Sequence, residues 1–106
     1  MESNMNTKSW SLDDVELRNL IYPHTFPIPS KSEINDLEVG DTVKLIFQFN
    51  DIGIGITAER MWVQLTHILP EGGFKGFLDN NPVLIKDLKY RDKVEFKASN
   101  IIDILE

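Results

Sequence analysis

Thr42-Val-Lys-Leu-Ile-Phe-Gln-Phe49 and Arg60-Met-Trp-Val-Gln-Leu-Thr-His-Ile-Leu69 are the stretches that decide the fold. In the first, Val43, Leu45, Phe47 and Phe49 share one face, while Thr42, Lys44 and Gln48 lie on the other. Side chains alternate across an extended backbone, so a period of two marks a strand with one apolar and one polar face. The second stretch alternates in the same way, with Met61, Val63 and Leu65 in one phase and Trp62, Gln64 and Thr66 in the other. Asn50 to Thr57, which contains Gly53 and Gly55, reads as a loop or broad hairpin connection between them.

Working outward, Pro70-Glu-Gly-Gly73 supplies turn chemistry for a hairpin into a strand at Phe74 to Leu78, which Asp79-Asn-Asn-Pro82 closes. Val83 to Leu88 reads as helical or as a turn. Lys93 to Ala98 reads as a further strand with Val94, Phe96 and Ala98 inward, and Ile101 to Leu105 as a last short strand or helical turn. Upstream, Ser11 has the character of an N-cap, with Asp13 and Asp14 in a first turn. Leu12, Val15, Leu20 and Ile21 follow near helical spacing, and the helix must end before Pro23. Tyr22 to Pro29 carries Pro23, Pro27 and Pro29, so it is expected to be an extended connector anchored by Phe26 and Ile28. Ser30-Lys-Ser-Glu33 is a capping-box pattern ahead of a helical turn at Ser32 to Leu37. The expected class is α+β: a curved, mainly antiparallel sheet of about five strands with one or two short helices. Residues 1–10 are expected to be a flexible tail and 11–106 a single globular domain.

One pattern occurs twice. Ile34-x-Asp36-Leu37-x-x-x-Asp41-x-Val43-x-Leu45 matches Ile85-x-Asp87-Leu88-x-x-x-Asp92-x-Val94-x-Phe96 position for position. Each copy reads as a turn of helix, a tight turn and a strand entering the sheet. Two copies fall short of a solenoid, and either two halves of a curved sheet or convergent turn chemistry explains them.

Composition narrows the function. Hydrophobic residues make up 42% of the 106 and charged ones 26%, an ordinary globular balance that supplies a core without staples. Cysteine is absent, which removes disulfides, thiolate metal sites and cysteine nucleophiles and is compatible with a reducing cytoplasm. Met1 to Lys8 lacks the features of a secretory signal, and no apolar run approaches the ~18 residues of a membrane span. A cytoplasmic protein without membrane contact is expected. The net charge of −6 is uneven: residues 1–57 hold four basic and nine acidic residues, whereas 58–106 hold seven and eight. Such a balance argues against nucleic acid, whose affinity comes from neutralised phosphates, and suits either solubility or a basic partner.

The familiar catalytic constellations each lack a part. Gly53-Ile-Gly55-Ile-Thr-Ala58 has the spacing of a dinucleotide fingerprint, but a strand rather than a helix follows it. His24 and His67 lie in no metal-ligand pattern, and His67, in phase with Val63 and Leu65, reads as a partly buried, hydrogen-bonded histidine. No serine sits in G-x-S-x-G, and the pairs Asp36/Asp41 and Asp87/Asp92 belong to turn entries. No catalytic residue, metal or cofactor is therefore assigned. Two features retain binding potential. Trp62 stands on the polar face of its strand, where it either covers a second small core or anchors a partner. Asn80 and Asn81 either cap their turn or present amides to a ligand.

Phe26-x-Ile28-Pro29, Leu37-x-x-Gly40-Asp41-x-Val43-Lys44-Leu45, Glu59-Arg60-Met61-Trp62-Val63 and Gly76-x-Leu78-x-Asn80-x-Pro82 occur in that order. Together they resemble a family of small bacterial proteins of unknown function, part of which is classed as immunity proteins of polymorphic toxin systems. The resemblance spans roughly Phe26 to Ile102. It implies a non-enzymatic protein that neutralises a cognate toxin by direct binding, and it brings no catalytic residues. Asp13, Asp14 and Glu16, at the head of the acidic half, are the charged candidates for such a surface, with Trp62 as an anchor. The alternatives are a small-ligand or peptide-binding barrel with Trp62, Asn80 and Asn81 at its mouth, or an enzyme whose site is illegible. The oligomeric state is left open. One departure stands out: the second tight turn carries Arg91-Asp92 where Gly-Asp is usual. An arginine is strained there if φ must be positive, which leaves room for a different turn type.

Overall fold

A computed structural model describes residues 9–51 and 53–106. Most of the expected tail, Met1 to Lys8, lies outside them. Among the described residues six strands form one sheet: β1 (Trp10–Leu12), β2 (Thr42–Asp51), β3 (Gly55–Ile68), β4 (Gly73–Leu78), β5 (Lys93–Lys97) and β6 (Ile101–Ile104). Two short helices, α1 (Val15–Ile21) and α2 (Lys31–Asn35), precede β2. The class is α+β with a curled antiparallel sheet, as the alternation predicts.

From β2 to β5 the chain meanders, each strand antiparallel to the next. The other flank of β2 is shared: β1 lies along Phe47 to Phe49 and β6 along Val43 to Leu45. A 3-10 turn at Ala98–Asn100 carries the chain from β5 across to β6. The Asn100 side chain ties this closure together, accepting from Lys97 N and donating to Asp13 O, both at 2.9 Å. The curl encloses one core, in which Val43, Leu45, Phe47, Val63, Leu65, Val94 and Phe96 are all buried, on the phase that alternation assigns them. Phe49 is half-buried at its rim.

The repeated pattern folds into two equivalent units. Leu37 and Leu88 are both buried. Asp41 Oδ2 accepts from Glu38 N at 2.9 Å, and Asp92 Oδ2 from Lys89 N at 3.0 Å. Each turn then docks on a neighbouring strand. Gly40 N donates to Leu65 O and Leu65 N to Asp41 O, while Arg91 N donates to Leu78 O and Leu78 N to Asp92 O, all within 2.8–2.9 Å. Gly40 has φ +101 and Arg91 has φ +78. The two turns are thus of one kind, and arginine occupies the left-handed position that glycine occupies in the first.

Several local expectations are revised. Ser11 lies in β1, and the N-cap of α1 is Asp14, whose Oδ1 accepts from Glu16 N at 3.0 Å and Leu17 N at 3.2 Å. Trp10, expected in the tail, is a buried strand residue. Gly53 and Gly55, both with positive φ, belong to a tight hairpin rather than a broad loop, so β2 and β3 run on almost to its tip. A bulge after Leu65 adds one residue to β3, so Leu65 faces Gly76 but His67 faces Lys75. That extra residue turns His67 out to solvent, beside Thr66 Oγ1 at 2.9 Å.

Candidate functional site

Glu59 belongs to the apolar phase of β3, yet it is charged and half-buried. The reason lies in the segment after Pro82. The Glu59 carboxylate accepts from Val83 N at 2.8 Å and from Leu84 N and Ile85 N at 2.9 Å. Burial works against its charge, but the N–H groups of Val83, Ile85 and Leu84 outweigh it and hold the carboxyl below its ordinary value. Next along, Asn80 Oδ1 accepts from Trp62 N, and Asp79 N donates to Trp62 O at 2.8 Å. Gly76 leaves β4 close against β3, where an added Cβ would fall on Gln64 O and 2.8 Å from Val63 Cγ1. Leu78 is fully buried. The Glu-Arg-Met-Trp-Val strand and the G-x-L-x-N-x-P segment therefore form one clamp that fastens the 79–85 connection to the edge of β3.

This geometry answers for two of the candidate binding residues. The Asn80 side chain accepts from backbone, as a capping residue does. Asn81 is exposed in the same turn. Trp62 is half-buried on the outer face of the sheet, with the Lys44 ammonium 4.6 Å from its ring centroid. Ile46 on that face is buried, and neither it nor the fully buried Val15 belongs to the inner core cluster. The outer face thus has an apolar layer of its own, and the Pro-rich connector contributes to it. Phe26 is half-buried there, with the guanidinium of Arg60 at 5.7 Å and of Arg18 at 6.0 Å.

The acidic candidates separate. Asp14 caps α1, and Asp13 pairs with Arg18 Nε while its backbone N donates to Ile46 O at 3.1 Å. Glu16 is exposed in the first turn of α1. Around it lies a feature that apolar spacing hid. Only Val15 of α1 is buried, whereas Leu17 (55%), Leu20 (77%) and Ile21 (59%) are exposed, followed by Tyr22 (58%). Positions i, i+3 and i+4 form one stripe, so these three side chains make a contiguous apolar ridge. Beside it a groove of about 580 Å³ opens between the two helices, lined by Glu16, Leu20, Ile28, Ile34, Ala98 and Ile101. Helical spacing of Leu20 and Ile21 does not say what covers them; the structure turns both outward.

Among the described residues no group of three His, Asp or Glu is placed to hold a metal. The carboxylates considered as acid/base pairs serve other ends. Asp41 and Asp92 close turns, Asp36 is the C-cap of α2, and Asp87 accepts from Ser9 Oγ at 2.6 Å and Ser9 N at 2.8 Å, which hold its carboxyl below the ordinary value. No described helix is long and apolar enough to cross a membrane. Comparison of the chain with protein-family models, with curated proteins and with solved structures finds no match.

Proposed function

We propose that this chain is a non-enzymatic binding protein of the immunity type, neutralising a cognate bacterial toxin by direct contact through α1. The observation that carries this reading is the ridge of Leu17, Leu20 and Ile21 beside the apolar groove, exposed on a helix whose N-terminal turn is acidic. Apolar side chains scattered singly on a surface are ordinary, but a contiguous set with an adjoining recess and a charged rim has the anatomy of an interface. Asp13 and Asp14 fix the helix, Glu16 lies on the rim, and the excess of acid in residues 1–57 suits a basic partner. The resemblance of the Glu59–Val63 and Gly76–Pro82 motifs to a small bacterial family of unknown function, part of which is classed as immunity proteins, supports the biological setting. Trp62 is not the anchor on this reading, because Lys44 covers its ring.

The test is survival of cells co-expressing the product of the adjacent gene with this chain or with Leu20→Asp. Wild type should protect and Leu20→Asp should not, while retaining its melting temperature, since Leu20 is exposed. A neighbouring product without toxicity, or equal protection by both chains, defeats the proposal.

A further inference from the structure

A second surface, along β5, carries mostly cationic side chains. β5 ends the sheet order and pairs with β4 on one side; among the described residues no strand pairs with its other side. Val94 and Phe96 point into the core, so Lys93, Glu95 and Lys97 lie on the outer face, where Lys93 is opposite Phe77 and Glu95 opposite Lys75. A shallow cavity of about 380 Å³ lies on this face, lined by Thr66, His67, Lys75, Phe77, Arg91 and Lys93 among others. Its one lining carboxylate, Glu95, is 3.6 Å from Lys75; among the described residues no ion pair engages Arg91, Lys93 or Lys97.

Arg91 adds an independent observation. It occupies the left-handed turn position that its structural counterpart fills with Gly40, and its guanidinium lies 4.2 Å from the Phe77 ring centroid. Strain of this kind persists where the side chain gives something in return. Here it holds a planar cation on the outer face, at the mouth of the strand edge.

We propose that this edge receives an acidic segment of a partner protein in extended conformation, added to the open side of β5 with carboxylates set against Arg91, Lys93 and Lys97. Main-chain pairing along an exposed edge gives such a complex its affinity, and alternate side chains give its specificity. Residues two apart on a strand are roughly 6.5–7 Å apart, so carboxylates two and then four residues apart on an extended segment fall against Arg91, Lys93 and Lys97, with an uncharged residue against Glu95. Lysines on an edge strand also repel unwanted neighbours, but they repel apolar or basic strands and attract acidic ones. Single-stranded nucleic acid fits less well, because its bases need a run of open aromatic faces, whereas the Phe77 ring is covered by Arg91 and Tyr90 beside it stands alone as an exposed ring.

The experiment is amide NMR of the intact chain titrated with a Thr/Val peptide bearing Glu at its first, third and seventh positions. A Lys-for-Glu peptide and oligothymidine are the comparisons. Saturable shifts confined to β4 and β5 are expected with the acidic peptide alone. Arg91→Gly relieves the backbone, so it should keep or raise the melting temperature while weakening the peptide about tenfold, the scale of one charged hydrogen bond. Lys93→Glu should abolish binding. Absence of saturable shifts, equal binding by Arg91→Gly and wild type, or a preference for oligothymidine each overturns the proposal.

Discussion

Replacing Glu59 by Ala removes the acceptor of three backbone N–H groups at 2.8–2.9 Å. A hydrogen bond to a charged group contributes about 1.5–3 kcal/mol, so simple addition gives roughly 5–9 kcal/mol. That would rival the ~5–15 kcal/mol of an entire domain and is too large. Val83 and Leu84 are exposed, so their N–H groups turn to water when the carboxylate is gone. Ile85 is buried, and its N–H has no such substitute. The expected cost of Glu59→Ala is therefore about 2–3 kcal/mol. In Glu59→Gln one oxygen of the fork survives, and about half that cost is expected. Urea unfolding reads both: with a slope of ~1–3 kcal/mol/M the Ala variant should lose roughly 0.7–3 M of midpoint. Acid supplies a second check. The folded carboxyl lies below its ordinary value of 4.5, so its stabilisation is complete above that value and is lost as pH falls through the folded one. The gap between wild type and Glu59→Gln should accordingly narrow on acidification. A variant within about 0.5 kcal/mol of wild type, or a gap that widens in acid, would refute the clamp.

Other predictions follow from the same geometry. Phe47→Ala and Phe96→Ala should each cost about 3–5 kcal/mol in denaturant unfolding, because both rings are buried in the inner core. Gly40→Ala should destabilise by about 1–2 kcal/mol, whereas Arg91→Gly should be neutral or slightly stabilising, since the two turns share a left-handed position. Calorimetry with EDTA should leave the melting temperature unchanged; a clear drop would bring His24 or His67 back as a ligand.

Much of the sheet was legible because β2, β3 and β5 each bury one face, and burial of one face writes itself as alternation. β1 was not, because three residues cannot establish a period and the serine in it resembled a cap. The bulge at Thr66 was invisible for a related reason: alternation carries His67 inward unless one residue is added to the ladder. Ile46 falls on the polar phase, and only the second apolar layer explains its burial. For Glu59, Trp62 and Asn80 the motif was legible and its meaning was not. Whether an amide or carboxylate caps backbone or meets a partner depends on segments some twenty residues away. The ridge on α1 shows the same limit from the other side. Apolar spacing announces that a helix face is to be covered, without saying whether its own domain or another protein covers it.

The role of α1 is tested most directly by the equilibrium binding of the purified product of the adjacent gene to wild type, Leu20→Asp and Glu16→Lys. Loss of one exposed apolar anchor should raise Kd by at least about tenfold, chiefly through faster dissociation. Reversal of the rim charge should instead slow association and weaken its dependence on salt. Unchanged binding by both variants, in chains that melt like wild type, would contradict α1 as the interface.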